Sequence, residues 1–146
     1  MEALVDTPVV RLKSLERLFR IRGIYAKRDD LLYPGLAGVK VRIARSIAPY
    51  VESREKWITF GPEGSNWLRT VDRFFGRRFK LITFPQIHNE DSTRNWEALR
   101  SSPNLVHASS IWHAAALALA YAMRGYGIIA PGGTCLAGMR GLVATV

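Results

Sequence analysis

Apolar residues alternate along the chain between a helical and a strand period. Leu15, Leu18 and Phe19 share one face of a short helical segment at residues 14–19, which Gly23 closes. Ile24-Tyr25-Ala26-Lys27-Arg28 reads as a strand, followed by an acidic pair and Pro34-Gly35. From Lys40, the positions Val41, Ala44, Ile47 or Ala48, and Val51 predict a helix. Pro49 is expected to kink it or stop it early, because proline lacks the amide donor and clashes one turn back. Strands follow at 57–60 and 79–84, the second stopped at Pro85. Between them Ser65 is placed to cap a helix whose stripe is Leu68, Val71, Phe74 and Phe75, with Gly76 closing it. A helix capped by Asp91 or Ser92 should run to Leu99, and a strand should occupy 105–109. Residues 111–123 are apolar nearly all round, which predicts a helix buried on more than one side. Ile128-Ile129-Ala130 reads as a last strand before Pro131-Gly132-Gly133-Thr134.

Helix and strand alternate from Lys40 onward with short loops. That order predicts an α/β fold: an open parallel sheet of about four strands flanked by helices, preceded by an N-terminal arm. The expected organisation is an arm and strand leading to the lysine (1–44), a small α/β domain (45–131), and the start of a truncated large domain (132–146). In such sheets, ligands collect where loops leave the carboxyl ends of strands. The turns at 61–66 and 131–134 both fall there, and Lys40, at the start of its helix, faces the same edge.

Composition narrows the classes. With 146 residues, 48% hydrophobic and 23% charged, the chain has material for one domain with a core. Its opening residues lack the basic start and long apolar run of a signal peptide. No stretch approaches the roughly 20 apolar residues of a membrane span, so no membrane partner is expected. One cysteine, Cys135, rules out an internal disulfide framework and suits a reducing cytoplasm. His88, His107 and His113 lack the spacing of a metal site, and no dinucleotide, Walker or Gly-x-Ser-x-Gly motif occurs.

The net charge is +9, and 17 of the 21 Lys/Arg lie in the first 80 residues. That asymmetry serves three readings: attraction of an anionic substrate and phosphate-bearing cofactor, a nucleic-acid surface, or plain solvated surface. Trp57, Trp67, Trp96 and Trp112 sit at helix or strand positions where packing is the default, and no nucleic-acid module accompanies them.

Three segments carry chemistry. A lysine becomes a covalent catalyst when its amine is deprotonated, and Lys40, near Arg42 and Arg45, follows the flexible Leu36-Ala37-Gly38. Ser65-Asn66 opens a helix whose backbone N–H groups favour a carboxylate or phosphate. Each also has a plain structural reading, as a surface lysine and a helix cap. Glycines in Pro131-Gly132-Gly133-Thr134-Cys135-Leu136-Ala137-Gly138 allow close backbone approach, either to a ligand or across a domain boundary.

Two runs, Lys27-Arg28-Asp29-Asp30-Leu31 to Gly38-Val39-Lys40-Val41-Arg42 and Gly61-Pro62-Glu63-Gly64-Ser65-Asn66, resemble a family of pyridoxal-phosphate enzymes. These are the D-cysteine desulfhydrases and 1-aminocyclopropane-1-carboxylate deaminases, which share the tryptophan synthase β fold (fold type II). The resemblance runs from about Thr7 to the last residue and covers the N-terminal part of such an enzyme, chiefly its smaller domain. It implies that Lys40 carries pyridoxal phosphate and moves protons. Ser65 would act near the substrate carboxylate and the catalytic centre, and Asn66 would lie beside the pyridine ring hydroxyl. The glycine turn that includes Thr134 matches the family's Pro-x-Gly-Gly turn and would contribute to substrate binding. Asp29 and Asp30 match as strand-end and turn residues. Val39 stands where the family has asparagine, Trp67 where it has a smaller polar residue or histidine, and the family's phosphate loop is absent.

The resulting expectation is the N-terminal portion of a cytoplasmic lyase or deaminase acting on a small amino acid. It would have weak or absent pyridoxal phosphate and little or no activity as an isolated chain. Self-association or a complementing chain would cover its apolar surface, including the uncharged end at 142–146. The alternative is a non-catalytic basic α/β module that binds a partner protein or, less in keeping with its motifs, nucleic acid.

Overall fold

The computed structural model describes residues 7–33, 36, 38–87, 89–135 and 137–138. Readings that fell on Pro34, Gly35, Ala37, His88, Leu136 and residues 139–146, and with them much of the expected start of a large domain, lie outside that set.

An arm comes first. Strands β1 (Val9–Arg11) and β2 (Tyr25–Lys27) pair antiparallel around helix α1 (Lys13–Phe19). Glu16 ties the three together, accepting from the Arg11 guanidinium at 2.9 Å and from the backbone N–H groups of Gly23 and Ile24. The apolar stripe foreseen on α1 is present, but Leu15, Leu18 and Phe19 are exposed.

Helix α2 (Val39–Glu52) then leads into strand β3 (Trp57–Pro62), and β3 is followed in turn by α3 (Asn66–Phe75), β4 (Phe79–Phe84), α4 (Glu90–Leu99), β5 (Leu105–His107), α5 (Ile111–Met123) and β6 (Gly127–Ile128). The four later strands form a parallel sheet in the order β5-β4-β3-β6, the architecture expected from the alternation. No helix among the described residues is long and apolar enough to cross a membrane.

The period-2 alternation of the strands sends their side chains to two cores. Trp57, Phe79 and Leu81 pack with Ile43, Ile47 and Val51 of α2, Trp67, Leu68 and Val71 of α3, and Leu99 of α4. Ile58 and Ile82 face the other way, against Ala108, Ala114 and Ala118. The chain thus moves outward from β3 to β5 with its helices on one face. It then returns across the other face through α5 to β6, on the far side of β3. That reversal makes the gap between the carboxyl ends of β3 and β6 a topological switch point, where open α/β sheets form ligand crevices. Gly127 fits beside its registered neighbour Trp57 because a side-chain carbon there would overlap the indole ring.

Three local expectations are corrected. Helix α2 runs through Pro49 to Glu52. The proline is exposed, near the helix end, and the buried Val51 beyond it holds the last turn in the core. The cap of α4 is Asn89, whose side chain accepts from the Ser92 amide at 2.9 Å while the Ser92 hydroxyl accepts from the Asn89 amide at 2.7 Å. Ser92 is therefore the third helical residue of a capping box. Lastly, α5 buries only Ala114 and Ala118, and its other face is open.

Candidate functional site

Lys40 stands in the first turn of α2, after Gly38, whose backbone lies at φ 85°, a conformation that favours glycine. Because α2 packs antiparallel to β3, that turn sits at the carboxyl edge of the sheet. The half-buried Lys40 amine donates to the carbonyl of Gly132 at 3.0 Å, across 92 residues of sequence. Among the described residues it forms no ion pair. Val39, beside it, is exposed.

The turn that receives Lys40 follows β6 directly. Gly132 and Gly133 both have positive φ, 70° and 72°, and the Thr134 hydroxyl donates back to the Pro131 carbonyl at 2.9 Å. Gly133 is buried where α2 and α3 converge. A side-chain carbon there would overlap Ile43 and come within 2.8 Å of the Trp67 ring. Glycine is thus required twice at this position, for its backbone and for its lack of a side chain.

Ser65 caps α3 as its sequence predicts, its hydroxyl accepting from the Leu68 amide at 3.4 Å. The Ser65 oxygen also lies against Gly61, where an added carbon would sit 3.2 Å away. Asn66 is the first residue of α3 and half-buried. Trp67 points inward: it is buried and donates its indole N–H to the Thr59 hydroxyl at 3.0 Å. It is a core residue that also floors the Gly132-Gly133 turn, not a side chain of the open rim.

The predicted residues are therefore brought together in part. Lys40 bonds the glycine turn, and that turn rests on the first helical turn that Ser65 and Asn66 open. Thr134 belongs to the same turn but bonds within it. A hydroxyl, an amine and the N-termini of α2 and α3 meet at the switch point. This donor set suits an anionic small molecule and a carbonyl that an amine can attack.

Arg42 escaped the sequence reading as a structural residue. Buried between Val41 and Ile43, it donates two bonds to Asp29, at 2.6 and 2.7 Å, and one to the Thr7 hydroxyl at 2.8 Å. Thr7 also donates to Asp29 at 2.9 Å. The Arg42 guanidinium holds the Asp29 carboxyl below the usual carboxylate range, with Thr7 assisting. Part of the signal was present in sequence: an arginine inside an apolar helical run needs a counter-ion, and the preceding pair offers two, of which Asp30 is taken by Arg28. This cluster fastens the arm to the base of α2, two residues along the helix from Lys40.

No protein-family model and no curated protein matches the chain. Eight chains of solved structure match it in fold. One of these, a crystal structure of an ACC deaminase homologue, has a TM-score of 0.73 at 22% identity and covers 98% of this chain and 48% of that chain. The present chain thus spans about half the length of that solved structure, and within that span its fold is that of an ACC deaminase homologue.

Proposed function

We propose that the chain is the lysine-bearing portion of a pyridoxal-phosphate-dependent lyase or deaminase, acting on a small amino acid in the manner of a D-cysteine desulfhydrase. One observation carries this reading above the rest. Lys40 is the amine at the carboxyl edge of the switch point, and it bonds the glycine turn that rests on the Ser65-capped helix.

The residues fit the cofactor on the side of its reactive carbon. Among the described residues Lys40 has no carboxylate partner to neutralise it, and its bond to a backbone carbonyl orients the amine without consuming it. The N-terminus of α2 has no side-chain cap, so its first N–H groups can meet an anionic oxygen. The cofactor supplies an electron-withdrawing ring that stabilises negative charge on the substrate carbon. Lys40 would attach it and hold or move the substrate proton. Ser65 would orient a carboxylate at the α3 N-terminus, and Asn66 would accompany the ring oxygen. The glycine turn with Thr134 would close over the substrate.

In a chain that spans about half of the solved structure it matches, cofactor binding is expected to be weak and turnover slight. Borohydride reduction in the presence of pyridoxal phosphate, followed by peptide mapping, tests the assignment. Label concentrated on Lys40, and lost in Lys40→Arg, is the expected outcome. Label spread evenly over surface lysines would reject the site. Rapid release of sulfide from D-cysteine by the isolated chain would reject the expectation of inactivity while leaving the site intact.

A further inference from the structure

The glycine turn that receives Lys40 is held from two helices. Lys40 and Ile43, three residues apart on α2, share one side of that helix, and both meet the turn: Lys40 at the Gly132 carbonyl, Ile43 against Gly133. From α3 the turn is met by Trp67, and the two ends of its indole have different neighbours. The N–H, on the five-membered ring, donates to the Thr59 hydroxyl of β3 at 3.0 Å, and both residues are buried. The far edge of the six-membered ring faces Gly133, where an added side-chain carbon would lie 2.8 Å from Cη2 and 3.0 Å from Cζ3. The ring therefore bridges a central strand of the sheet and the turn. Leucine or phenylalanine could fill space there. A buried indole N–H needs an acceptor as well, and its one bond to Thr59 fixes which edge of the ring meets the glycine.

We propose that Trp67 is a positioning residue for the Lys40 amine: oriented by Thr59, it props the Gly132-Gly133 turn so that the Gly132 carbonyl stands where Lys40 meets it. This rests on the reading of Lys40 as the reactive amine. The turn's own bonds run along the chain, from the Gly133 amide to the Ala130 carbonyl at 3.0 Å and from the Cys135 amide to the Gly133 carbonyl at 2.8 Å. They shape the turn without setting its height above α2 and α3. That height comes from the side chains beneath it, which glycine at 133 admits without an intervening carbon. Shortening the side chain at 67 lets the turn sink or tilt and draws the carbonyl away from the amine. Lysine has a flexible four-carbon stem, so an amine without that acceptor loses its bearing. Thr59 acts one step further back, by orienting the ring.

Two amine reagents, each read by peptide mapping of the full chain, test the proposal. Methylation with formaldehyde and cyanoborohydride reports how firmly the Lys40 amine is tethered. Pyridoxal phosphate with borohydride reports how well it is placed for an aldehyde. Lys40 is scored in both against the exposed Lys13 and Lys56. Trp67→Leu should raise methylation of Lys40 severalfold and lower its pyridoxal-phosphate label about tenfold, as a displacement on the ångström scale would. Thr59→Val keeps the side-chain volume and removes the acceptor, so it should move both reactions in the same directions. Thr59→Ser keeps the hydroxyl and should behave as wild type. A general loosening of the fold would instead raise both reactions together. That result overturns the proposal, as does Lys40 methylation that stays unchanged in Trp67→Leu and Thr59→Val, or a Thr59→Ser that matches Thr59→Val. If Trp67→Leu loses its native circular dichroism, the Thr59 pair decides. The two readings fail separately. Pyridoxal phosphate that labels wild-type Lys40 no more than Lys13 and Lys56 rejects the cofactor reading, and the methylation series then decides the role of Trp67 by itself.

Discussion

A guanidinium buried among Val41, Ile43 and Ala44 has to be neutralised where it lies, and Arg42 obtains this from Asp29. Removing one member of such a pair leaves the other charged and desolvated. Asp29→Ala is therefore expected to cost about 3 kcal/mol of unfolding free energy, measured by urea titration. The pair also sets a pH dependence. The folded carboxyl titrates below its unfolded value of about 4, so the folded state binds fewer protons in that range. The contribution is complete above the unfolded pKa and is lost as pH falls through the lower folded one. The stability gap between wild type and Asp29→Asn should accordingly be full at neutral pH and shrink on acidification below about pH 4. A gap that stays constant down to acid would show that the ion pair does not hold the arm.

Elements were legible where their signals are local. Residues 111–123 appear as a helix with those bounds, and the strand at 79–84 likewise, because period and punctuation agree in both. The Ser65 and Gly76 ends of α3 were readable from residue type alone. What failed depended on choices among neighbours or on the rest of the fold. Asn89, Asp91 and Ser92 are all competent caps, and only the reciprocal Asn89–Ser92 bonds decide between them. Asn89→Ala should therefore lower stability by about 1 kcal/mol, while Asp91→Ala, exposed within the first turn, should change it by much less; paired thermal melts would separate the two. Pro49 was tolerated because tertiary packing of Val51 outweighs one missing backbone bond near a helix end. The composition of α5 was read correctly, but composition cannot say how many faces a fold covers. In the candidate site, the lysine and the two helix starts could be named from motifs. The bond from Lys40 to Gly132 could not, since it spans 92 residues and exists only once β6 lies beside β3.

At the scale of the molecule, one cluster of the positive charge lies away from the candidate site. Arg54 and Lys56 precede β3, Arg77 and Arg78 precede β4, and Arg124 ends α5, so this group lies at the amino edge of the sheet, opposite Lys40. Three of these cations sit over aromatic rings: Arg54 on Trp57, Lys56 on Tyr126 and Arg124 on Tyr121. Glu52, Glu55 and Asp72 are interspersed among them in sequence. Such an edge can attract a phosphate backbone, but among the described residues it offers no groove-entering helix and a single exposed aromatic, Tyr50, in place of the series that base stacking needs. Binding to duplex or single-stranded nucleic acid should therefore be non-specific, with a dissociation constant above about 10 μM at physiological salt. Replacing Arg77 and Arg78 together with alanine should reduce the slope of log affinity against log salt by about 2, one for each lost phosphate contact. Fluorescence anisotropy over a salt series measures both quantities. Tight, sequence-selective binding that survives physiological salt would contradict the argument and put the non-catalytic binding module ahead of the enzyme reading.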